Sequence, residues 1–193
     1  IEEIDNIEPI LEFVEGDTEE FNALRVNIHS MVYIPNKGRH IRIIVKDKKT
    51  KKYLGCIVLA SDYVNLGVRD EYIGWTDDNK FKDSKLNHTT VASTIGFVQP
   101  FGMNMLGGKL MASLCTSTEV RDYWKKKYNE VLIGMTTTSL YGSYSMYNSI
   151  PYWKKLGISK GRFLLHPSMK YYQYWLDYVR KNYRKEYDVA VNA

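Results

Sequence analysis

Two strand-like segments separated by a short charged turn constrain the fold of this chain most strongly. His40–Asp47 and Tyr53–Ser61 are rich in β-branched and other apolar residues, as expected of strands. The charged sequence DKKTKK joins them and is typical of a hairpin tip. Strands that are connected this closely run antiparallel. The sequence therefore predicts a β-hairpin over residues 40–61.

A second pattern predicts a pair of parallel strands. Residues 91–100 and 131–140 form apolar runs, and a helix predicted from Gly107 toward Tyr128 lies between them. A strand, a helix and a second strand form a βαβ unit, in which the strands are parallel and the crossover is right-handed. Together with the hairpin, this unit predicts an α/β (α+β) fold. We expect one domain over 1–193, with a mixed sheet and helices on both faces.

The remaining segments complete the predicted order of elements. Residues 8–15 suit an edge strand or a helical turn, and the long polar stretch 62–90 suits a functional or partly helical loop packed by Trp75. Three helices and one strand are also predicted: a helix starting at Asp17–Glu20, a helix at 145–156 ended by Gly157, a strand at 160–166, and an amphipathic helix at 171–183.

Charge is unevenly distributed along the chain. The first twenty residues contain nine acids and no base, so 1–17 is an acidic N-terminal segment that is either a tail over a basic face or an edge element. The rest of the chain carries 27 basic and 13 acidic residues. Residues 167–193 are predicted to form a basic, aromatic helix and tail. Basic surfaces interspersed with aromatic side chains are typical of nucleic-acid binding. A solvated basic face over an aromatic core would produce the same sequence pattern.

Composition excludes several classes of protein. No apolar run approaches the roughly 20 residues that span a membrane, and no signal peptide opens the chain, so we expect a cytoplasmic protein without a membrane partner. The first residue is Ile rather than Met, which leaves open whether residues precede it. Cys56 and Cys115 lie in apolar stretches and are predicted to be buried free thiols. Without CxxC or HxxxH spacing, no structural zinc site is expected.

Hydroxyl and amide side chains are concentrated where the strand 131–140 ends. They include Thr136, Thr138, Tyr141, Tyr147 and Asn148. In α/β folds, ligands bind at the carboxyl ends of strands, where the N-termini of helices offer free N–H groups. The sequence therefore predicts a binding site in the segment 131–161.

Three motifs carry a resemblance to a known family: GCIVLAS at 55–61, RDEYIGW at 69–75 and YWKKLGISKGR at 152–162. Over roughly residues 24–163, the sequence resembles the DruA-like family of Druantia anti-phage systems and its phage-borne relatives. The order of elements is similar to the GNAT acyltransferase fold. The spacing of Trp153 and Gly157 after a Tyr-Asn pair is similar to that of the phage Mu Mom protein, a GNAT-like enzyme that modifies adenine in DNA.

The resemblance implies a transferase that modifies an amine of DNA or of a nucleotide. An acyl-CoA cofactor would then lie at a Gly-rich helix start, and a general base would be needed for attack on the acyl carbon. Three groups of candidates follow: for catalysis Tyr147, Asn148, Asp70 and His29; for the cofactor Asn104, Gly107, Gly108 and Lys109; for substrate or nucleic acid Trp75, Thr138, Tyr141, Trp153, Lys154, Lys155 and Arg162.

Each of these candidates also has a structural explanation. Tyr147 can cap the predicted helix or pack its hydroxyl on a neighbouring carbonyl. Asp70 can pair with Arg69 or cap a turn, and Gly107 and Gly108 can allow close packing of a helix on a strand. His29 can be an ordinary packed or exposed histidine.

A second hypothesis is a GNAT-like module that binds DNA or a defence partner without catalysis. The chain lacks the Arg or Gln of the GNAT phosphate signature ahead of Gly107, and Trp153 stands where many GNAT enzymes place a Tyr that acts as general acid. These departures favour the module, whereas the polar cluster at 136–148 favours the enzyme. The aromatic surfaces could also bury a contact between copies of the chain.

Overall fold

A computed structural model describes residues 2–29, 38–99, 107–139, 147–158 and 169–191. The chain divides into two compact units, Ile1–Ser159 and Lys160–Ala193. The helices of the first unit are α1 (Glu2–Asp5), α2 (Glu19–Ile28), α3 (Gly67–Ile73), α4 (Asp77–Phe81), α5 (Gly107–Leu114) and α6 (Thr118–Tyr128), together with a 3₁₀ helix (Lys82–His88). Its strands are β1 (Pro9–Val14), β2 (His40–Asp47), β3 (Tyr53–Ser61), β4 (Thr89–Phe97) and β5 (Gly134–Thr136). The second contains α7 (Met169–Asn182) and α8 (Arg184–Val191).

The five strands form one mixed sheet in the order β1-β2-β3-β4-β5. The first four strands pair antiparallel in sequence, and β5 pairs with β4 in parallel, with Thr90 opposite Met135. Both the hairpin and the parallel pair predicted from the sequence are therefore confirmed. Residues 8–15 supply the edge strand β1. The fold is a mixed α/β structure, as predicted.

Helices cover both faces of this sheet. On one face, Ile43 and Ile57 belong to a core that includes Met111 of α5 and Trp124 of α6. On the other face, Ile44, Cys56 and Val58 pack with Phe21 of α2. Successive side chains of a strand point to opposite faces, so a strand that is covered on both sides has a nearly continuous apolar sequence. This explains the uninterrupted apolar run in β3.

Both cysteines are free and buried, as predicted. Burial raises the pKa of the Cys56 thiol to about 12, and burial also raises the pKa of Cys115. A thiol with a raised pKa carries little thiolate near neutral pH and reacts slowly. The two side chains therefore contribute packing to the two faces of the sheet.

The acidic start of the chain contains α1 and the edge strand β1, so it is the edge element, the second of its two predicted alternatives. Glu8 pairs with Lys48 and Lys49 at the hairpin tip, at 3.3 and 3.2 Å. Glu12 and Glu20 both pair with Lys46, at 2.6 and 2.9 Å. In these ion pairs, glutamates of the chain neutralise three lysines of the hairpin. We therefore do not assign the basic surface suggested by the net charge to the hairpin.

Three predicted elements differ from the structure. The helix predicted from Gly107 toward Tyr128 is interrupted at residues 115–117. The Ser117 hydroxyl caps α6 by accepting from the backbone N–H of Val120 at 3.4 Å. The strand predicted at 131–140 is reduced to β5, because the Thr137 hydroxyl, not a continued ladder, bonds the Ala92 carbonyl at 3.0 Å.

The third difference concerns the helix predicted at 145–156. Its described part, from residue 147 onward, consists of turns and irregular backbone. Ser149 and Tyr152 have φ angles of 61° and 72°, and Pro151 lacks an N–H donor; all three features are incompatible with a helix. Gly157 is therefore not a helix cap. The strand predicted at 160–166 lies outside the described residues, and the stretch 62–90 is partly helical, one of its two predicted alternatives.

None of the helices in the described ranges has the length and apolar character needed to cross a bilayer.

Close packing of β3 on β4 and α5 gives a prediction at Gly55. A Cβ atom added at this position would overlap the Gly96 carbonyl oxygen and lie 2.7 Å from the Met111 sulfur. Gly55→Ala is therefore expected to lower the free energy of unfolding by about 1–3 kcal/mol, measured by urea denaturation. The control is Gly67→Ala, because nothing lies within 4 Å of a Cβ there. Equal stability of the two variants would contradict the packing described for this junction.

Candidate functional site

A buried ion network lies beside the first residues after β3. Arg69 of α3 is 1% exposed, and its Nη1 atom lies 3.0 Å from Oδ2 of Asp62, the residue that follows β3. The same guanidinium donates to the Tyr63 carbonyl at 2.7 Å, and its Nε donates to Asp70 Oδ1 at 2.8 Å. The Thr136 hydroxyl of β5 donates to Asp62 Oδ1 at 2.8 Å. Arg69 thus joins α3 to the end of β3, and through Asp62 to β5.

Lys80 of α4 extends the network from the other side of Asp70. Its ammonium is buried and donates to Asp70 Oδ2 at 3.0 Å, to Asn65 at 3.0 Å and to Asp77 at 3.1 Å. Burial raises the pKa of Asp70, but the hydrogen bonds from Arg69 and Lys80 outweigh it, so the pKa lies below its usual value. Both oxygens of Asp70 are therefore engaged by cations, the structural alternative expected for this residue.

The motif RDEYIGW ends with a turn that covers the network. Gly74 adopts the left-handed conformation that ends α3, with φ of 76°. Trp75 follows, and the Arg69 guanidinium carbon lies 5.3 Å from the centroid of its ring. Trp75 is half-buried. Its position shows why an aromatic residue stands here: the ring shields one side of a buried guanidinium.

Residues 147–158 pack against α5 through aromatic side chains. The Trp153 indole N–H donates to the Ala112 carbonyl of α5 at 2.9 Å. Tyr147 stacks on Trp153 with ring centroids 5.1 Å apart. Burial raises the pKa of Tyr147, and a hydrogen bond with Thr137 opposes this effect in part. The phenol is therefore neutral near pH 7 and suits hydrogen bonding or proton donation better than service as a base.

The same segment reaches α3 on its other side. The Lys154 ammonium lies 4.4 Å from the centroid of the Tyr72 ring, a cation–π contact. A Cβ atom at Gly157 would lie only 3.1 Å from Val68 Cγ1. Two motifs that are distant in sequence, RDEYIGW and YWKKLG, are therefore neighbours in space. We call the exposed side chains of residues 67–75 and 147–158 the motif surface.

The structure distributes the other predicted residues over separate places. His29 follows α2 on the face of the sheet opposite Tyr147 and Trp153, so it is not part of one site with them. Gly107 and Gly108 are buried at the start of α5, with Lys109 half-buried beside them. Thr138, Asn148, Lys154 and Lys155 are exposed. Asn104, Tyr141 and Arg162 lie outside the described residues.

Sequence reasoning missed three residues of this region. Asp62 and Lys80 complete the ion network, and Tyr152 is the most exposed large hydrophobic side chain of the motif surface, at 93%. The position of Asp62 could have indicated its role, because it is an acid directly after a buried strand and seven residues before the Arg69-Asp70 pair of the motif. Lys80 lies three residues after its partner Asp77, but its other partner, Asp70, is ten residues away and comes near only on folding.

The second unit carries exposed aromatic side chains on α7. Tyr174 and Trp175 contact edge to face at 5.5 Å, and Trp175 contacts Tyr178 at 5.9 Å. All three rings are between 43% and 64% exposed. This helix is the main described part of the predicted basic, aromatic C-terminal segment.

The fold and the site define a mixed α/β domain in which an RDEYIGW helix and a Trp-Lys-Lys segment meet beside a buried ion network. The chain belongs to the DruA family: the family model described as Druantia protein DruA matches residues 2–191. This confirms the family resemblance predicted from the motifs.

One curated relative is Druantia protein DruA of Escherichia coli (strain UMEA 4076-1), 32% identical over 176 residues. The match covers 81% of this chain and 43% of that protein, so the chain spans less than half of the relative's length. No solved structure matches the chain.

Proposed function

We propose that this chain is a DNA-binding domain that serves anti-phage defence. The observation that carries the proposal is the meeting of the two motifs on one surface, where Lys154 and Lys155 are exposed beside Tyr72. Lysines supply the phosphate contacts that dominate affinity for nucleic acids, and aromatic rings supply stacking. The role in defence rests on membership of the DruA family, together with the resemblance to Druantia anti-phage systems.

The distribution of ion pairs supports this choice of surface. Lys46, Lys48, Lys49 and Lys127 each pair with a glutamate near the start of the chain. Among the residues described, Lys154 and Lys155 pair with no carboxylate. A cation without an acid partner attracts phosphate more strongly than one already neutralised. Lys125 and Lys126 of α6 also pair with no carboxylate among the described residues, but Lys154 in addition lies against an exposed aromatic ring, that of Tyr72. Because it combines such lysines with an aromatic face, the motif surface is the part of the first unit that we expect to contact the DNA backbone.

A salt titration tests the proposal. The dissociation constant for a fluorescent DNA oligonucleotide would be measured by anisotropy over a series of salt concentrations. Each neutralised phosphate contributes a slope of about −0.7 to −0.9 in log affinity against log salt. We expect binding that weakens with salt, with a slope of roughly −1.5 or steeper for contacts from Lys154 and Lys155. Absence of binding at low salt would contradict the proposal.

A GNAT-like transferase of the Mom type is a second candidate, favoured by one observation. Tyr147 is held by Thr137 and by Trp153 next to the parallel pair β4–β5, the place where the GNAT resemblance puts the reacting groups. Binding of an acyl-CoA cofactor at Gly107 and Gly108 stays a prediction from the sequence. The chain lacks the Arg or Gln that the GNAT signature places ahead of these glycines to bind the cofactor's pyrophosphate.

Mass spectrometry of DNA nucleosides distinguishes the two candidates. Nucleosides from cells with and without the chain would be compared, with Tyr147→Phe/Asn148→Ala as the variant. Under the transferase candidate, a modified nucleoside forms with the natural chain and disappears with the double variant. Under the DNA-binding proposal, the nucleosides are unchanged while DNA binding is retained, and this is the outcome that we expect.

A further inference from the structure

Tyr152 combines two properties that rarely occur together. Its side chain is 93% exposed, and its backbone φ is 72°, in the left-handed region. For a bulky residue this conformation is an outlier with a steric cost, whereas glycine adopts it freely. A side chain that is this exposed gains almost no packing within the chain to offset the cost. A strained residue with an exposed ring is a candidate for contact with a ligand.

The neighbours of Tyr152 indicate the chemistry of that ligand. Lys154 and Lys155 follow within three residues, and both are exposed. The chain can span at most about 7 Å from residue 152 to residue 154. The Tyr72 ring holds the Lys154 ammonium at 4.4 Å and so restrains one of the cations. An aromatic face is thus placed close to a fixed positive charge, as a ligand with an aromatic ring and a phosphate requires.

We propose that Tyr152 stacks on an unpaired base of single-stranded DNA while Lys154 and Lys155 contact the adjacent phosphates. The inference rests on the proposed DNA-binding function and specifies the form of DNA. In a duplex the faces of internal bases are covered by their neighbours, so an exposed ring has no free face to stack on. In a single strand each base offers a face, and stacking on an aromatic side chain tolerates any sequence.

Three substitutions of Tyr152 distinguish the contribution of its ring to binding from the effect of its backbone conformation. Tyr152→Leu keeps an apolar side chain but removes the aromatic face, and Tyr152→Phe keeps the face. Tyr152→Gly removes the ring and relieves the left-handed backbone. Stacking on one base corresponds to roughly a tenfold difference in affinity. We expect Tyr152→Leu and Tyr152→Gly to bind a single-stranded oligonucleotide about tenfold more weakly, and Tyr152→Phe to bind like the natural chain.

The thermal midpoint gives an independent readout of the same variants. Tyr152→Gly is expected to keep or raise the midpoint of thermal unfolding, because glycine removes the steric cost at this φ. A loss of binding in a variant that is at least as stable as the natural chain cannot come from misfolding. If Tyr152→Gly instead lowers both the midpoint and the binding, and Tyr152→Leu binds normally, the residue is structural and the inference is overturned.

Each remaining outcome is informative. Affinities would be measured for the single strand, for the matching duplex and for an RNA of the same sequence. Preference of the natural chain for the DNA strand, reduced in Tyr152→Leu, supports the inference. If Tyr152→Leu loses as much affinity for the duplex as for the single strand, or if the natural chain prefers RNA, the inference is overturned. Nucleic-acid binding by the chain would still stand. If the natural chain binds none of the three, the proposed function itself fails.

Discussion

Replacing Arg69 by Met is expected to lower the free energy of unfolding by about 3–5 kcal/mol. Arg69 is 1% exposed and contacts two carboxylates, those of Asp62 and Asp70. The Asp62 side chain is fully buried, and its Oδ2 atom has no hydrogen-bond donor among the described residues, only the ion pair at 3.0 Å. Without the guanidinium, this carboxylate would be a buried and uncompensated charge. Urea denaturation with linear extrapolation measures the difference.

The matched control is a surface arginine of the second unit. Arg184 lies 3.3 Å from Asp188 one helical turn away, and its side chain is 78% exposed. Arg184→Met is expected to change stability by less than about 0.5 kcal/mol, because exposed pairs of this kind contribute little. An Arg69→Met variant as stable as the Arg184→Met variant would contradict the described network.

A double-mutant cycle attributes the loss to the pair with Asp62. Asp62→Asn removes the charge that Arg69 compensates, so Asp62→Asn/Arg69→Met should be more stable than the sum of the single effects predicts. Residues in direct contact show coupling energies of about 0.5–3 kcal/mol. Additive effects would instead show that Arg69 acts through Asp70 or through packing against Trp75.

Reversing both lysine charges of the motif surface is expected to abolish DNA binding. Two unit charges 4 Å apart in water interact by about 1 kcal/mol, and reversal replaces each attraction by an equal repulsion. Lys154→Glu/Lys155→Glu is therefore expected to lose about 4 kcal/mol of binding free energy, roughly a thousandfold in affinity. Fluorescence anisotropy at low salt measures the loss.

The hairpin tip provides a control with the same change in charge. Lys48 and Lys49 are also adjacent and exposed, but both pair with Glu8. Lys48→Glu/Lys49→Glu alters the net charge equally and leaves the motif surface intact. A comparable loss of affinity in both variants would show that binding responds to net charge alone. That result would refute the proposed surface without refuting DNA binding.

The sequence predicted the parts of the fold that depend on local pattern. The hairpin of β2 and β3 has the predicted bounds, because a charged tip between two apolar runs leaves few alternatives. Helix α2 begins at Glu19, inside the predicted helix start Asp17–Glu20, and the Thr18 hydroxyl caps it by accepting from the N–H of Phe21. Signals of this kind are complete within a few residues and need no tertiary contact.

Predictions failed where tertiary contacts replaced the local preference. The sequence predicts a helix over 145–156, but in its described part Trp153 bonds a carbonyl of α5 and Lys154 lies over Tyr72 of α3. A turn conformation with positive φ at Tyr152 makes these contacts. Likewise Thr136 and Thr137 direct their hydroxyls to Asp62 and to the Ala92 carbonyl, and the regular strand ends there. No periodicity in the sequence encodes these partners.

The candidate site was predictable as residues but not as an arrangement. Asp70, Trp75, Trp153 and Lys154 all stand in motifs that were recognised in the sequence. That the two motifs touch each other follows only from the packing of residues 147–158 between α5 and α3. The pairing of Asp70 with Lys80 likewise needs the turn at Gly74 to bring α4 back toward α3.

Hydrogen–deuterium exchange with and without a single-stranded DNA oligonucleotide tests most directly the claim that the motif surface binds DNA. We expect slower exchange of backbone amides in residues 67–75 and 147–158 when DNA is bound, with exchange in the hairpin at 40–61 unchanged. Protection confined to α7 and α8, or no protection in either motif, would contradict it.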